Sequence, residues 1–405
     1  MQHLRRLVGF ALIPALSMLA SLVLLPFIAA HFGPGGWVAL AIGQSIGTFL
    51  SVAVGMAWPV IGGNAVARAP NLDAQREIYR NSLYSRLLVL IPLCAVGIPL
   101  ALMLADEYPW STVLFMLATA ANGLSAGWYF AGIGEPRHLV INEGLVRFGG
   151  YVVALVGFLA GAPLVWYAGS AVAAAAISVL LNWRTVLGTT RFWVAGAHRL
   201  ALQLVREQLG GTLSRVLISA YTFGGPAIFG ILAPSQLALF SAAAQIQKAA
   251  NNTVAYLPPA FIHWVGSAKP KQRRRRIRRS LLFLGAVSVS IVPGWLFLGP
   301  SITDILYAEK VQFSWAMNLL LSLTIGGVLL ANSLEVLLLV PLGQVRTVYR
   351  ANSILSVLGI LLLAGGAVAF GAVGGLAALA VVQGILLGCY LVALLRRFSS
   401  QKSPA

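Results

Sequence analysis

The sequence predicts an all-α integral membrane protein: about twelve transmembrane helices in two six-helix lobes with a central cationic cleft. Three observations carry this. Of the 405 residues, 59% are apolar and only 9% charged, with a mean hydropathy of +0.86; a soluble domain carries about 25% charged residues. Apolar runs long enough to span a bilayer at ~1.5 Å per residue recur along the whole chain, without the alternation of barrel strands. Two neighbouring runs near the middle each hold a cation at membrane depth, Arg215 and Lys248.

Taken in order, the runs predict spans at 7–31, 37–62, 84–105, 111–132, 139–161, 164–183, 210–232, 237–262, 280–300, 313–341, 348–371 and 373–395. The first follows Arg5 and Arg6 like a signal peptide. Its apolar stretch exceeds the ~7–15 residues of such a segment, so a retained span is expected. Loop charge tests the count. On one side fall Arg5 and Arg6, Arg68 to Arg86, Arg137, Arg184 to Arg206, the run Lys269-Pro-Lys-Gln-Arg-Arg-Arg-Arg-Ile-Arg-Arg279, Arg346 and Arg350, and Arg396 to Lys402. On the other side Lys310 is the only Lys or Arg, with Asp106, Glu107, Asp304 and Glu309 beside it. The positive-inside rule then puts both termini in the cytoplasm. In this setting the net charge of +18 is topogenic and faces anionic headgroups; no nucleic-acid partner is expected. Cys94 and Cys389 lie in apolar runs and predict no disulfide framework.

The chain repeats internally. Gly134-Glu-Pro-Arg137 ends span four, and Gly343-Gln-Val-Arg346 ends span ten 209 residues later. Val38-Ala-Leu40 with Gln44 matches Leu237-Ala-Leu239 with Gln245 more loosely. Two halves of six spans are expected, 1–200 and 201–405. An even number of spans gives them the same orientation about an axis along the membrane normal.

The polar residues within spans suggest the site. Thr212, Arg215, Ser219 and Thr222 share one face of span seven, and Gln245, Lys248, Asn252 and Tyr256 one face of span eight. A charge at bilayer depth costs at least ~2.5–3.5 kcal/mol and normally faces a cavity or a partner. The candidate substrate-binding residues are therefore Arg215, Lys248, Gln245, Asn252, Tyr256 and Ser219, with Gln44 and Thr48 from span two; Ser17 and Ser21 of span one complete the four stripes. Packing faces with a snorkelling Arg and a buried Lys are the alternative. Glu143 and Arg147, four residues apart, predict an intrahelical ion pair. Glu335 is the coupling candidate, able to carry a proton or cation or to reach the interface.

Other motifs fail. Gly43-Gln-Ser-Ile-Gly47 matches the G-x-S-x-G elbow, yet it lies inside a span where no strand-to-helix turn can present the Ser. Gly43 and Gly47, like Gly157/Gly161 and Gly384/Gly388, read as close-packing pairs. There is no Walker A pattern, the five His and two Cys form no metal-ligand cluster, and the Asn251-Asn-Thr253 sequon sits within a span. No enzyme activity, metal or cofactor is expected.

Gly33-Pro-Gly-Gly-Trp-Val-Ala-Leu40 with Gln44, and Trp128-Tyr-Phe-Ala-Gly-Ile-Gly134 followed by Glu135-Pro-Arg137, resemble the polysaccharide (O-antigen-type) flippase branch of the multidrug/oligosaccharidyl-lipid/polysaccharide exporter superfamily. With the twelve-span plan, the resemblance covers nearly the whole chain. The two extra spans of peptidoglycan-precursor flippases are lacking. The resemblance implies a flippase that moves a polyprenyl-pyrophosphate-linked oligosaccharide between leaflets of the bacterial inner membrane by alternating access. It would be driven by a proton or sodium gradient or by the membrane potential, and would work beside glycosyltransferases and a polysaccharide polymerase. A drug antiporter of the same superfamily is the alternative, although organic cations would favour acidic cavities. A membrane polymerase or ligase would carry a large outer loop, and this chain has none.

Overall fold

A computed structural model describes residues 2–188, 196–254, 257–261, 265 and 270–400. The chain is a multi-pass all-helical membrane protein. In order, its helices are α1 (Gln2–Gly55), α2 (Trp58–Ala67), α3 (Leu72–Leu104), α4 (Pro109–Ala120), α5 (Gly127–Ile133), α6 (Pro136–Leu139), α7 (Val146–Leu159), α8 (Leu164–Leu187), α9 (Ala197–Phe223), α10 (Gly225–Leu232), α11 (Leu237–Val254), α12 (Leu257–Ala260), α13 (Pro270–Tyr307), α14 (Trp315–Leu334) and α15 (Val345–Ser400). π-helical turns at Val140–Leu145 and Glu335–Leu339 join α6 to α7 and extend α14.

Among the described residues, eight helical stretches are long and apolar enough to cross a membrane. One of them, Arg346–Leu395, holds two predicted spans, and so does the whole of helix α1. Spans one and two run together through Gly33 (φ 61°, ψ −158°), and spans eleven and twelve through Gly371 (φ 58°, ψ −140°). That region of backbone space is essentially reserved for glycine. At the second joint the chain folds back so tightly that a Cβ on Gly366 would lie 2.4 Å from the Gly374 carbonyl oxygen. Gly224 interrupts span seven, and α11 carries the polar stripe of span eight.

Local chemistry sets the helix ends. The Asn71 side chain accepts from the Ala74 amide (2.9 Å) to start α3, and the Ser314 hydroxyl accepts from the Met317 amide (3.3 Å) to start α14. Gly134 (φ 75°) stops α5 with a Schellman turn, in which the Glu135 amide donates to the Phe130 carbonyl (2.9 Å) and the Gly134 amide to Ala131 (3.2 Å). The same bonds recur at the 209-residue offset. Gln344 donates to Leu339 (2.9 Å) and Gly343 (φ 77°) to Val340 (3.0 Å). The match between Gly134 and Gly343 is thus a repeated backbone motif.

The chain divides into two compact units, Met1–Ala227 and Ile228–Ala405. Helix α9, which the sequence pattern places in the second six-span half, packs on α1 and α3 of the first unit. Two features differ from expectation. From Pro270 onward the basic run forms the first turns of α13 instead of a loop, since Arg and Lys are good helix formers; Arg273, Arg274, Arg275, Arg278 and Arg279 are exposed along it. Helix α3 begins twelve residues before its predicted span, which takes Arg76, Arg80 and Arg86 out of the loop and onto the helix.

The glycine pairs separate under the same test. A Cβ on Gly43 would lie 2.6 Å from the Thr112 carbonyl oxygen, and one on Gly47 2.5 Å from that of Met116, so this pair seats α1 against α4. Gly157 packs under Trp166, but Gly161 (φ 80°) is a turn residue, and Gly384 and Gly388 meet nothing within 4 Å. Those three are not close-packing positions. Gly47→Val is expected to lower stability by about 1–3 kcal/mol through overpacking, whereas Gly388→Ala should be near neutral. Melting temperatures of the two purified variants in one detergent will check this.

Candidate functional site

In the first unit a cavity of about 100 Å³ lies among α1, α4, α7 and α8. Gln44 of α1, Thr119 of α4, Asn122 of the turn after it, Arg147 and Tyr151 of α7, and Tyr167 of α8 line it, with Ala171, Ala174 and Ala175 closing a wall of small side chains. At ~10–15 Å³ per water this is room for several waters or a polar group of comparable size. Arg147 is the charged side chain of the lining. It is 33% exposed, whereas its partner Glu143 is 6% exposed and lies behind it, Nη2 to Oε2 3.3 Å. The expected ion pair is present, and the cavity receives its positive end.

Glu143 is held from every side. Its carboxylate accepts from the Ser125 hydroxyl (2.8 and 2.9 Å), the Ala126 amide (3.0 Å), Asn182 Nδ2 (2.9 Å) and Arg147. Asn142 Nδ2 in turn donates to Asn182 Oδ1 (3.2 Å) and Thr185 Oγ1 (3.0 Å). This knot ties the ends of spans four, five and six. The π-helical turn places Asn142 and Glu143 side by side within it, and the break at Ser125–Ala126 frees the amide that Glu143 takes.

The second unit has a counterpart. The Tyr390 hydroxyl donates to Glu335 Oε2 (3.1 Å) and accepts from Asn352 Nδ2 (3.0 Å). The repeat offset places Glu335 on Ala126, Asn352 on Glu143, and Tyr390 one residue short of Asn182. Spans ten, eleven and twelve are thus tied through side chains as spans four, five and six are, with the carboxylate on span ten instead of span five. Glu335 is half-buried within this knot.

The predicted substrate residues are placed as follows. In the first unit Gln44 lines the cavity, and Thr48 folds its hydroxyl back to the Gln44 carbonyl (2.6 Å). Ser45 Oγ donates to the Phe223 carbonyl (2.5 Å), joining α1 to the end of α9. Arg215 donates from Nη1 to the Met56 carbonyl, and the Gln208 side chain, two turns earlier on α9, accepts from the Ala57 amide (3.1 Å). Together they cap the break between α1 and α2, where Met56 adopts φ 51°. Ser219 is buried, with no partner for its hydroxyl among the described residues. In the second unit Gln245, Lys248 and Asn252 share one continuous helix, α11, and the first two are half-buried. The side chains of Thr222 and Asn252, and all of Tyr256 and His263, lie outside the described residues.

Sequence reasoning missed the cavity role of Arg147 and the polar groups Thr119, Asn122, Tyr151 and Tyr167, because each is a single polar residue in an apolar run. It also counted Arg86 among loop charges. Arg86 is 1% exposed, wholly inside the first unit.

No protein-family model matches the chain, and no curated protein matches it in sequence. Solved structures do match. An inward-facing multidrug resistance MATE family transporter of the MOP superfamily aligns over 98% of this chain and 100% of its own, with a TM-score of 0.62 at 14% identity. The eukaryotic MATE transporter AtDTX14 aligns over 98% and 99% (TM-score 0.54, 15% identity). A variant of the Vibrio cholerae MATE transporter VcmN aligns over 97% and 97% (0.52, 14%). The chain has the fold of the MATE transporters of the MOP superfamily.

Proposed function

We propose that this protein is a flippase of the bacterial inner membrane, both termini cytoplasmic, that carries a polyprenyl-pyrophosphate-linked oligosaccharide from the inner to the outer leaflet by alternating access. The observation that carries the reading is the sign of the polar groups. Within the spans the polar groups at the cavity and on α11 are cations and neutral hydrogen bonders: Arg147, paired with Glu143, with Gln44, Asn122 and two tyrosines at the cavity, and Lys248 with Gln245 on α11. The carboxylates Glu143 and Glu335 are engaged in hydrogen bonds to other spans. A pyrophosphate leaving water needs charge-assisted donors, which guanidinium and ammonium groups supply. Amides, hydroxyls and aromatic faces suit sugar rings. The likeness to transporters of this fold supports alternating access, and the asymmetry of loop charge supports the orientation. Glu335, bonded to a tyrosine, is our candidate for coupling to an ion gradient.

Reconstitution tests the proposal. Proteoliposomes would carry the purified chain and a fluorescent lipid-linked oligosaccharide, and a membrane-impermeant glycosidase would report the exposed fraction. Protein-dependent exposure is expected. Arg147→Gln should slow it roughly tenfold or more, the equivalent of losing one charge-assisted hydrogen bond of about 1.5–3 kcal/mol. A second reading, a small-molecule antiporter, draws on the multidrug transporter that shares the fold. Vesicles that move organic cations and leave the oligosaccharide in place would establish it instead.

A further inference from the structure

Arg86 is a buried cation whose outer nitrogen has no acceptor among the described residues. Its Nε donates to the Ser82 carbonyl (3.2 Å), and its Nη1 to the carbonyls of Gly123 (3.1 Å) and Ser125 (2.8 Å), which the break in span four leaves free. Nη2 has no hydrogen-bond partner among the described residues. The same holds for three neighbours. Tyr79 and Ser82 stand on the same face of α3, seven and four residues before Arg86; both are 0% exposed, and neither hydroxyl has a partner. The Trp128 ring lies 5.7 Å from the guanidinium carbon and packs on Tyr79 at 6.4 Å; its Nε1, in a residue 8% exposed, is likewise unpartnered. Four buried donor groups with no acceptor among the described residues call for an occupant that accepts hydrogen bonds.

The local charge selects which occupant. Ser125 links Arg86 to the Glu143 knot, its carbonyl taking Arg86 Nη1 and its hydroxyl giving to Glu143. Glu143 is paired with Arg147, whereas Arg86 donates to backbone carbonyls and has no carboxylate within ion-pair distance among the described residues, so the fully buried guanidinium lacks a counter-charge of its own. A water would satisfy the donors but leave the charge, and uncompensated buried charge is the larger cost. We propose that Arg86 Nη2, Tyr79 Oη, Ser82 Oγ and Trp128 Nε1 form an enclosed site for a small monovalent anion of chloride size, which neutralises Arg86 and fixes the break of span four. The site is separate from the cavity lined by Gln44 and Arg147, and does not depend on which substrate the protein moves.

The test uses the full chain in detergent at constant ionic strength, with chloride exchanged for gluconate, which is too large for an enclosed site. Chloride and bromide are each expected to raise the melting temperature by several degrees in a saturable titration, and bromide-soaked crystals should give an anomalous peak beside Arg86. The variant Tyr79→Phe/Ser82→Ala keeps the guanidinium and its carbonyl bonds, and should fold with a weakened chloride response. Equal melting temperatures in chloride and gluconate, an unchanged chloride response in that double variant, or a water with no bromide signal at Arg86 would each overturn the proposal.

Discussion

A chain carrying Arg215→Gln together with Lys248→Gln is expected to reach the membrane in normal amounts and to move essentially no substrate. Each side chain sits within a predicted span, where a cation costs at least ~2.5–3.5 kcal/mol, so its removal relieves a cost for the protein alone. For an anionic head group the same change removes two charge-assisted partners of about 1.5–3 kcal/mol each. Were both realised at the transport barrier, the rate would fall by roughly two to four powers of ten. One contact complicates the reading: Arg215 caps the Met56 carbonyl, so the single variants must be measured beside the double. If Arg215 acts only as a cap, Arg215→Gln will lower thermal stability and Lys248→Gln will change nothing. If both act on substrate, each single variant slows transport at unchanged melting temperature, and glycosidase exposure approaches the protein-free rate in the double. Wild-type transport by the double variant would remove both residues from the mechanism.

The largest stability loss is expected at Glu143. Glu143→Ala leaves the Ser125 hydroxyl, the Ala126 amide, Asn182 Nδ2 and Arg147 without their shared acceptor. Arg147, a third exposed at the cavity, can be solvated when the carboxylate goes, so the loss comes mainly from the orphaned buried donors, about 1–3 kcal/mol each. Glu143→Gln keeps one carbonyl oxygen for the amide and Asn182 and should lose about half as much. Melting curves in detergent, with retention on size exclusion as a check for aggregation, decide the order. A Glu143→Ala protein as stable as wild type would mean that water replaces the carboxylate without cost.

Much of this was legible in the sequence because it follows from solvent. Span positions and loop charges obey the bilayer, and the repeat showed in two turn sequences because a Schellman turn needs glycine at its left-handed position, as at Gly134 and Gly343. The Glu143–Arg147 pair was readable because helix geometry brings i and i+4 together. Partners distant in sequence were not readable. Nothing in a single chain indicates that Ser125, Asn182 and Glu143 meet, or that Tyr390 bridges Glu335 and Asn352. Arg86 was misplaced for a related reason: near the end of an apolar run, one turn separates water from a packed interior. Gly384 and Gly388 share the spacing of Gly43 and Gly47, but spacing does not say whether another helix lies opposite.

The joints at Gly33 and Gly371 bear on how such a molecule can work. A reversal made by one residue has no slack. The two rods on either side cannot slide or splay independently, and any tilt imposed on one passes to the other at once. Each pair is therefore expected to move as a single lever, and under the proposed alternating access the pivoting of the first unit would be absorbed where its chain is already interrupted, at Met56, Ser125 and Gly224.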